Sequence, residues 1–472
     1  MSIRRSPRKT RSALFIGAAA VLASAATPIV AAAQSFDSSF QNQQSSPSNV
    51  ANQKHNVQKF RHKIKHIIVI YQENWSFDGL YGSFPGANGL QNAVNAPKQV
   101  DKSGIPYVFL PQNDPHIPQN LPNAPFAIEP YVAPADKTRD LVHRFYTHQL
   151  QIDGGLNDKF VAWSDALGLT MSHFDATNLP EGRLAQQYTM ADNFFQGAFG
   201  GSFLNHFWLI SAQTPVWPNA PANKISNLDP AHFNDNAVTP DGYVVNTAFS
   251  INQPHPPNIT DPTQLVPQQT FANIGDRLDN KGITWAWFAG GWNDALAGHP
   301  DPLFQYHHQP FAYFARYADG TKAKALHLRD ETEFLSALGG RSLPSVSFVK
   351  PLGTDNEHPG YTSLLRGQQH VADIVSAVQQ SQFWKDTAII ITYDEFGGRW
   401  DHVAPPVVDR WGPGTRVPAI IISRFAKRGF VDHTQYDTTS ILKTIETRYN
   451  LAPLSTRDAN ANDLLNSFDF GK

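Results

Sequence analysis

Three short apolar runs constrain the fold of this 472-residue chain more than any other feature. Ile67 to Tyr71, Ala388 to Thr392 and Val417 to Ser423 are rich in β-branched residues and too short for a typical helix. Runs of this kind form strands covered on both faces, which requires a largely parallel sheet with helices packed against it. Helical periodicity lies between the runs, as in His370 to Gln379 and Thr439 to Tyr449. The expected class is therefore α/β, a largely parallel central sheet flanked by helices. The Pro- and Asn-rich stretches 96–135 and 214–268 read as long loops or a cap, and loops of that length are usually functional.

Two of the runs end in the same chemistry. Ile67–Tyr71 leads into Gln72, Glu73 and Asn74, and Ile389–Tyr393 leads into Asp394 and Glu395. Open α/β sheets bind ligands at the carboxyl ends of their strands. Acidic groups gathered there repel one another unless a cation lies between them, and an all-oxygen set suits a hard divalent ion. A single such end would pass for a solvated strand terminus. Two of them, some 320 residues apart, point to a metal site.

Phe199-Gly200-Gly201-Ser202 then runs into the apolar segment Phe203 to Trp208. A Gly-Gly turn before such a segment places Ser202 at a helix N-terminus, where free N–H groups and the positive dipole end favour an anion. An ordinary N-cap serine has the same local sequence. Histidine is the third signal: His143 and His148, the pair His307 and His308, His358, and His402 after Asp401 all stand in polar or Pro- and Gly-punctuated segments. Several histidines so placed favour oxyanion binding or leaving-group protonation over a structural role.

Composition supplies the boundaries. Hydrophobic residues make up 41% and charged residues 17%, enough for a large core. The formal net charge of −2 gives no field that would gather nucleic acid or an anionic membrane. Residues 1–33 combine a basic start (Arg4, Arg5, Arg8, Lys9, Arg11), an apolar run from Ala13 to Ala26 and the small-residue end Ala31 to Ala33, the pattern of a cleaved secretory signal. Zero cysteines exclude a thiol nucleophile, and export without disulfides suits a bacterial periplasm or secreted protein that relies on core size or a metal. Residues 34–62, rich in Gln, Ser and Asn, read as a flexible low-complexity tether, and 63–472 as one catalytic domain with long excursions.

The segments KHIIVIYQENWSFDGLYG, DLVHRFYTHQLQIDGGLNDKF, FGGSFLNH, FQYHHQPFAYF, PSVSFVKPLGTDNEHP, DTAIIITYDEFGGRWDHVAPP and STRDANANDLLNSFDF, in this order, resemble the bacterial acid phosphatase and phospholipase C family of phosphoesterases, distant relatives of the alkaline phosphatase superfamily. Within it the chain looks closest to the respiratory-burst-inhibiting acid phosphatases. The resemblance implies that Glu73, Asn74, Asp394 and Glu395 hold one divalent metal ion, with Ser202 as both ligand and nucleophile. It also implies that His143, one of His307 and His308, and His358 contact the phosphoryl oxygens, with Asn273 a looser match for a phosphate contact. Trp75 departs from the arginine usual after Glu-Asn in the family, which bears on neighbouring contacts rather than on the ligands.

A metal on Ser202 Oγ lowers its pKa, attack gives a phosphoseryl intermediate, and protonated histidines offset charge on the phosphoryl oxygens and favour an acidic optimum. The expected activity is that of a secreted acid phosphatase on soluble phosphomonoesters, with no nucleic-acid partner and no stable membrane anchor after signal cleavage. The alternative is phospholipase C. Such relatives usually carry Thr at the nucleophile position and extra β-rich domains, whereas this chain has Ser202 and stops at Lys472. A non-enzymatic binder of phosphorylated solutes would need the anion site but no activated nucleophile.

Overall fold

The computed structural model describes residues 47–471. The expected signal peptide lies outside them, and the architecture below concerns the unit 52–472. Eight strands build one sheet: β1 His66–Gln72, β2 Thr189–Ala191, β3 Trp285–Ala289, β4 Leu328–Asp330, β5 Val346–Lys350, β6 Thr387–Tyr393, β7 Ala419–Ser423 and β8 Phe430–Asp432, in the order β8-β2-β7-β6-β1-β5-β3-β4. All run the same way except β7, which is antiparallel to β6 and β2. The three runs that defined the class are β1, β6 and β7, and β6 and β7 are buried along their whole length.

Helices cover both faces. Leu364–Gln380 buries Val371, Ile374, Val375 and Val378 on one stripe, the i, i+3, i+4, i+7 pattern of an amphipathic helix. Ser202–Ser211 is buried on every side, as an apolar sequence such as FLNHFWLIS demands, and packs against Thr438–Tyr449. Among the described residues no helix is long and apolar enough to cross a membrane.

One expectation is corrected. Within the segment read as a flexible tether, Pro47–Lys63 is a helix. Its composition gave no periodicity, but Phe60 near its end is fully buried against Phe468 and Phe470, and Arg61 donates to the Thr447 carbonyl at 2.7 Å. A single aromatic anchor outweighs a polar sequence once it finds a pocket.

Candidate active site

Parallel pairing of β1 with β6 sets Gln72 opposite Tyr393, so the residues that follow, Glu73 and Asp394, emerge side by side at the carboxyl edge. Asn74 turns the chain there with φ +69°, a left-handed conformation that Asn tolerates better than most residues. Gly397 packs against that turn, where a Cβ would come within 2.0 Å of the Asn74 carbonyl oxygen. Asp394 Oδ1 accepts the amides of Asn74 (3.2 Å) and Glu395 (2.8 Å), and Glu395 Oε2 accepts the amide of Gly397 (2.7 Å). The other oxygens, Asp394 Oδ2 and Glu395 Oε1, make no hydrogen bond among the described residues although both side chains are fully buried.

Ser202 comes to the same point from the opposite direction. The N-cap of its helix is Gly201, so Ser202 is the first helical residue and its hydroxyl is free of capping duty. Its Oγ lies 3.2 Å from Glu73 Oε2 and 3.5 Å from Asn74 Oδ1. The Gly-Gly turn is needed for close approach: Gly200 has φ +84°, and a Cβ on Gly201 would meet the His143 carbonyl at 2.6 Å. Gln196 fixes the turn by donating from Nε2 to the carbonyls of Ala198 (2.7 Å) and Gly200 (2.9 Å), while its Oε1 accepts from Phe396 N beyond the acidic pair. His148 Nδ1 accepts the Gly200 amide at 3.0 Å.

Three imidazoles share one arrangement. His143, His358 and His206 donate from Nδ1 to the carbonyls of Leu141, Pro359 and Ser202, which leaves each Nε2 free to accept. Asn74 Nδ2 reaches His358 Nε2 at 3.0 Å and His143 Nε2 at 3.4 Å. His308 Nε2 lies 2.9 Å from Glu73 Oε1, and the Lys350 ammonium is ion-paired to that same oxygen.

The electrostatics are those of a site short of positive charge. Burial first, and the other carboxylates second, push Asp394 and Glu395 well above the usual range. Burial opposes ionisation of Glu73 too, but His308 and Lys350 outweigh it and hold that carboxyl well below its ordinary value. Burial depresses His307 and His358, and lowers His308 to about 4. For His307, His308 and His358 burial thus works against the protonated form expected in mild acid. Two orphaned carboxylate oxygens, an amide oxygen and a serine hydroxyl fit a hard divalent cation, whose charge would relieve the repulsion.

A cavity of about 320 Å³ opens over this floor. Glu73, His143, Ser202, His307, His308 and His358 line it together with the polar Asp140, Arg144, Asp165, Asn246, Thr247 and Gln305 and the apolar Leu141, Val142, Phe203 and Tyr361. The fold thus brings together Glu73, Asn74, Ser202, Asp394, Glu395, His143, His307, His308 and His358, while His148 supports the Gly200 turn. Asn273 does not join them. It caps the helix Ile274–Asp279 in a reciprocal box with Asp276, and the loose local motif reflected that capping function rather than a phosphate contact. His402 also stands elsewhere, 2.6 Å from Asp78 and beside the buried Arg416. Trp75, in place of the usual arginine, stacks under the fully buried Arg399 guanidinium at 4.0 Å and donates to the Glu357 carbonyl.

Sequence reasoning missed Gln196, His206 and Lys350. Lys350 ends a strand just as Glu73 follows one, and His206 sits one helical turn beyond Ser202, so both carried a usable signal. Gln196 carried none.

Comparisons with known proteins identify the family. A model of the Phosphoesterase family matches residues 64–452. Phospholipase C A of Mycobacterium tuberculosis is 24% identical over 451 residues, covering 86% of this chain and 77% of that one. The non-hemolytic phospholipase C of Burkholderia pseudomallei is 25% identical over 86% of this chain and 59% of its own length. Among solved structures, the phosphonate monoester hydrolase of Agrobacterium radiobacter overlays with a TM-score of 0.35 at 10% identity, covering 86% and 78%, a likeness too loose to carry an argument. With its family model spanning most of the folded chain, the protein belongs to the phosphoesterase family and is a hydrolase of phosphoric esters.

Proposed function

We propose that the protein cleaves phosphate esters through Ser202, and that its substrates are phosphodiester head groups of the kind its phospholipase C relatives are named for. The observation that carries the chemistry is the position of Ser202: at the first turn of a buried helix, its hydroxyl on Glu73 and Asn74, at the base of a histidine-lined cavity. A divalent cation held by Glu73, Asn74, Asp394 and Glu395 with Ser202 would supply Lewis-acid activation of the hydroxyl. Ser202 Oγ then forms a bond to phosphorus as the ester P–O bond breaks, and the leaving oxygen takes a proton. The free N–H groups of the first helical turn face the phosphoryl oxygens, and His143 and His358, joined through Asn74, flank them. The serine proton offsets the one taken by the leaving alcohol, and the seryl intermediate keeps the head group on its phosphoryl. Water releases that head group as a phosphomonoester in the second half-reaction, regenerating the Ser202 hydroxyl.

The ester class rests on the relatives: those that match 86% of this chain carry phospholipase C names. A second reading, a phosphatase for soluble phosphomonoesters, is favoured by the polar lining of the cavity, where Asp140, Arg144, Asp165, Asn246 and Gln305 outnumber the apolar Leu141, Val142, Phe203 and Tyr361. The basic and apolar N-terminus supports export to the periplasm or beyond. The deciding experiment compares kcat/KM for p-nitrophenyl phosphate, p-nitrophenyl phosphorylcholine and phosphatidylcholine vesicles, with and without chelator. Preference for the choline esters supports the first reading and preference for the monoester the second. Chelator-insensitive turnover would remove the metal.

A further inference from the structure

We infer that Lys350 is a built-in cation occupying what would otherwise be a second metal position, so that this site takes one divalent ion where its ligands could accept two. The inference rests on the reading that Glu73 and its neighbours hold a divalent ion.

Lys350 is the last residue of β5, which pairs with β1, so its side chain starts level with Tyr71 at the carboxyl edge of the sheet. It is fully buried, an unusual place for a lysine, and its ammonium is ion-paired with Glu73 Oε1. The Tyr71 ring lies 5.4 Å from Nζ. Glu73, His206 and His308 each offer a ligand atom, and those atoms lie within 4.8 Å of one another. All three residues are buried, and His206 Nε2 has no hydrogen-bond partner among the described residues. The His206 and His308 rings are parallel, 5.0 Å apart.

One carboxylate and two imidazoles form a donor set suited to zinc, distinct from the oxygen-rich set at Asp394, Glu395 and Asn74. An ammonium already bound to the carboxylate bars a divalent ion by charge and by volume. Charge balance points the same way: Glu73, Asp394 and Glu395 carry three negative charges, which one divalent ion and one ammonium neutralise. Two divalent ions beside Lys350 would leave the floor with an excess of two positive charges in a buried setting, where unpaired charge is costly. Lys350 therefore fixes both the metal count and the orientation of Glu73, as a positioning residue.

The test is metal stoichiometry after dialysis against zinc, with ion positions taken from anomalous scattering. Wild type should hold one ion per chain, away from His206 and His308. Lys350→Met, which removes the charge and keeps most of the volume, should hold two, the second on Glu73, His206 and His308. Lys350→Arg should stay at one, and Lys350→Met combined with His206→Asn should return to one. Two ions in the wild-type site, or one ion in a Lys350→Met protein with a native circular dichroism spectrum, would overturn the inference. If Lys350→Met does not fold, the wild-type anomalous map decides alone, since an ion on His206 and His308 refutes the assignment and its absence beside an occupied oxygen site supports it. No ion in wild type would sink the metal reading itself, whereas one ion in both wild type and Lys350→Met sinks this inference only.

Discussion

Ser202 Oγ stands 3.2 Å from Glu73 Oε2 although the two residues are 129 positions apart in the chain. One is delivered by a helix N-terminus and the other by a strand C-terminus, and no other element needs to move for them to meet. Ser202→Ala should therefore lower kcat by at least about 10³-fold while zinc and inorganic phosphate still bind. Acid quench of the wild type during turnover should trap the phosphoryl group on Ser202, bare from p-nitrophenyl phosphate and still esterified from a phosphodiester. Label recovered on another residue would refute the covalent route.

Asp394 gives an opposite pair of effects with and without metal. Its Oδ2 is buried and unbonded among the described residues, and burial together with Glu73 pushes the carboxyl up. Asp394→Asn should lose stoichiometric metal and nearly all turnover. The metal-free mutant should melt no lower than metal-free wild type, and by roughly 1–3 °C higher, because a buried repulsion is removed. Calorimetry with and without chelator reads both effects, and a mutant with a full metal complement would show that Asp394 is not a ligand.

Much of this was legible in the sequence because it depends on local patterns. Buried parallel strands announce themselves as apolar runs, and the residue after such a run is committed to the ligand-binding edge; Glu73 and Asp394 followed from that rule, and Lys350 obeys it as well. Ser202 was legible because two glycines before an apolar run leave few alternatives to a tight turn into a helix. What stayed hidden was long-range: Gln196 bridging two loops, Phe60 anchoring a polar helix, and Asn273 spending its side chain on a cap. Each depends on a partner that no window of sequence contains.

A buried acid pair behind the site makes stability depend on pH. Tyr393 OH lies 2.7 Å from Glu357 Oε2 and 3.1 Å from Glu181 Oε2. Burial raises Glu357 from 4.5 to about 7, and burial with Glu357 raises Glu181 well above its usual range. A carboxyl raised on folding binds its proton more tightly in the native state, so its stabilisation is complete below the unfolded-state value and is lost as pH rises through the folded one. Melting temperature should fall between about pH 5 and 8, the Glu357 part being on the order of 3 kcal/mol. Glu181→Gln keeps a donor and removes one titration, so its melting temperature should fall less over the same range. An unchanged pH slope would show that the pair does not share protons in this way.

Gly201 links the nucleophile to its histidine. Its φ of −100° is ordinary, so a side chain there meets no backbone strain. What an alanine Cβ would meet is His143, at 2.6 Å from the carbonyl oxygen and 3.0 Å from Cδ2. The collision can be relieved only by moving His143, whose Nε2 lies 3.4 Å from Asn74 Nδ2 and 3.7 Å from Glu395 Oε1. Gly201→Ala should therefore fold and keep its metal, because Asp394, Glu395 and Asn74 are untouched, yet lose about 10²-fold in kcat/KM, the scale of an ångström-sized misplacement of a catalytic group. Gly200→Ala is the contrasting control. At φ +84°, with a Cβ 2.7 Å from the backbone of Phe145, it should lower the melting temperature as well as activity. Parallel measurement of zinc stoichiometry, thermal melting and kcat/KM for the two variants separates the cases. Wild-type turnover in Gly201→Ala would show that the position of His143 does not govern catalysis.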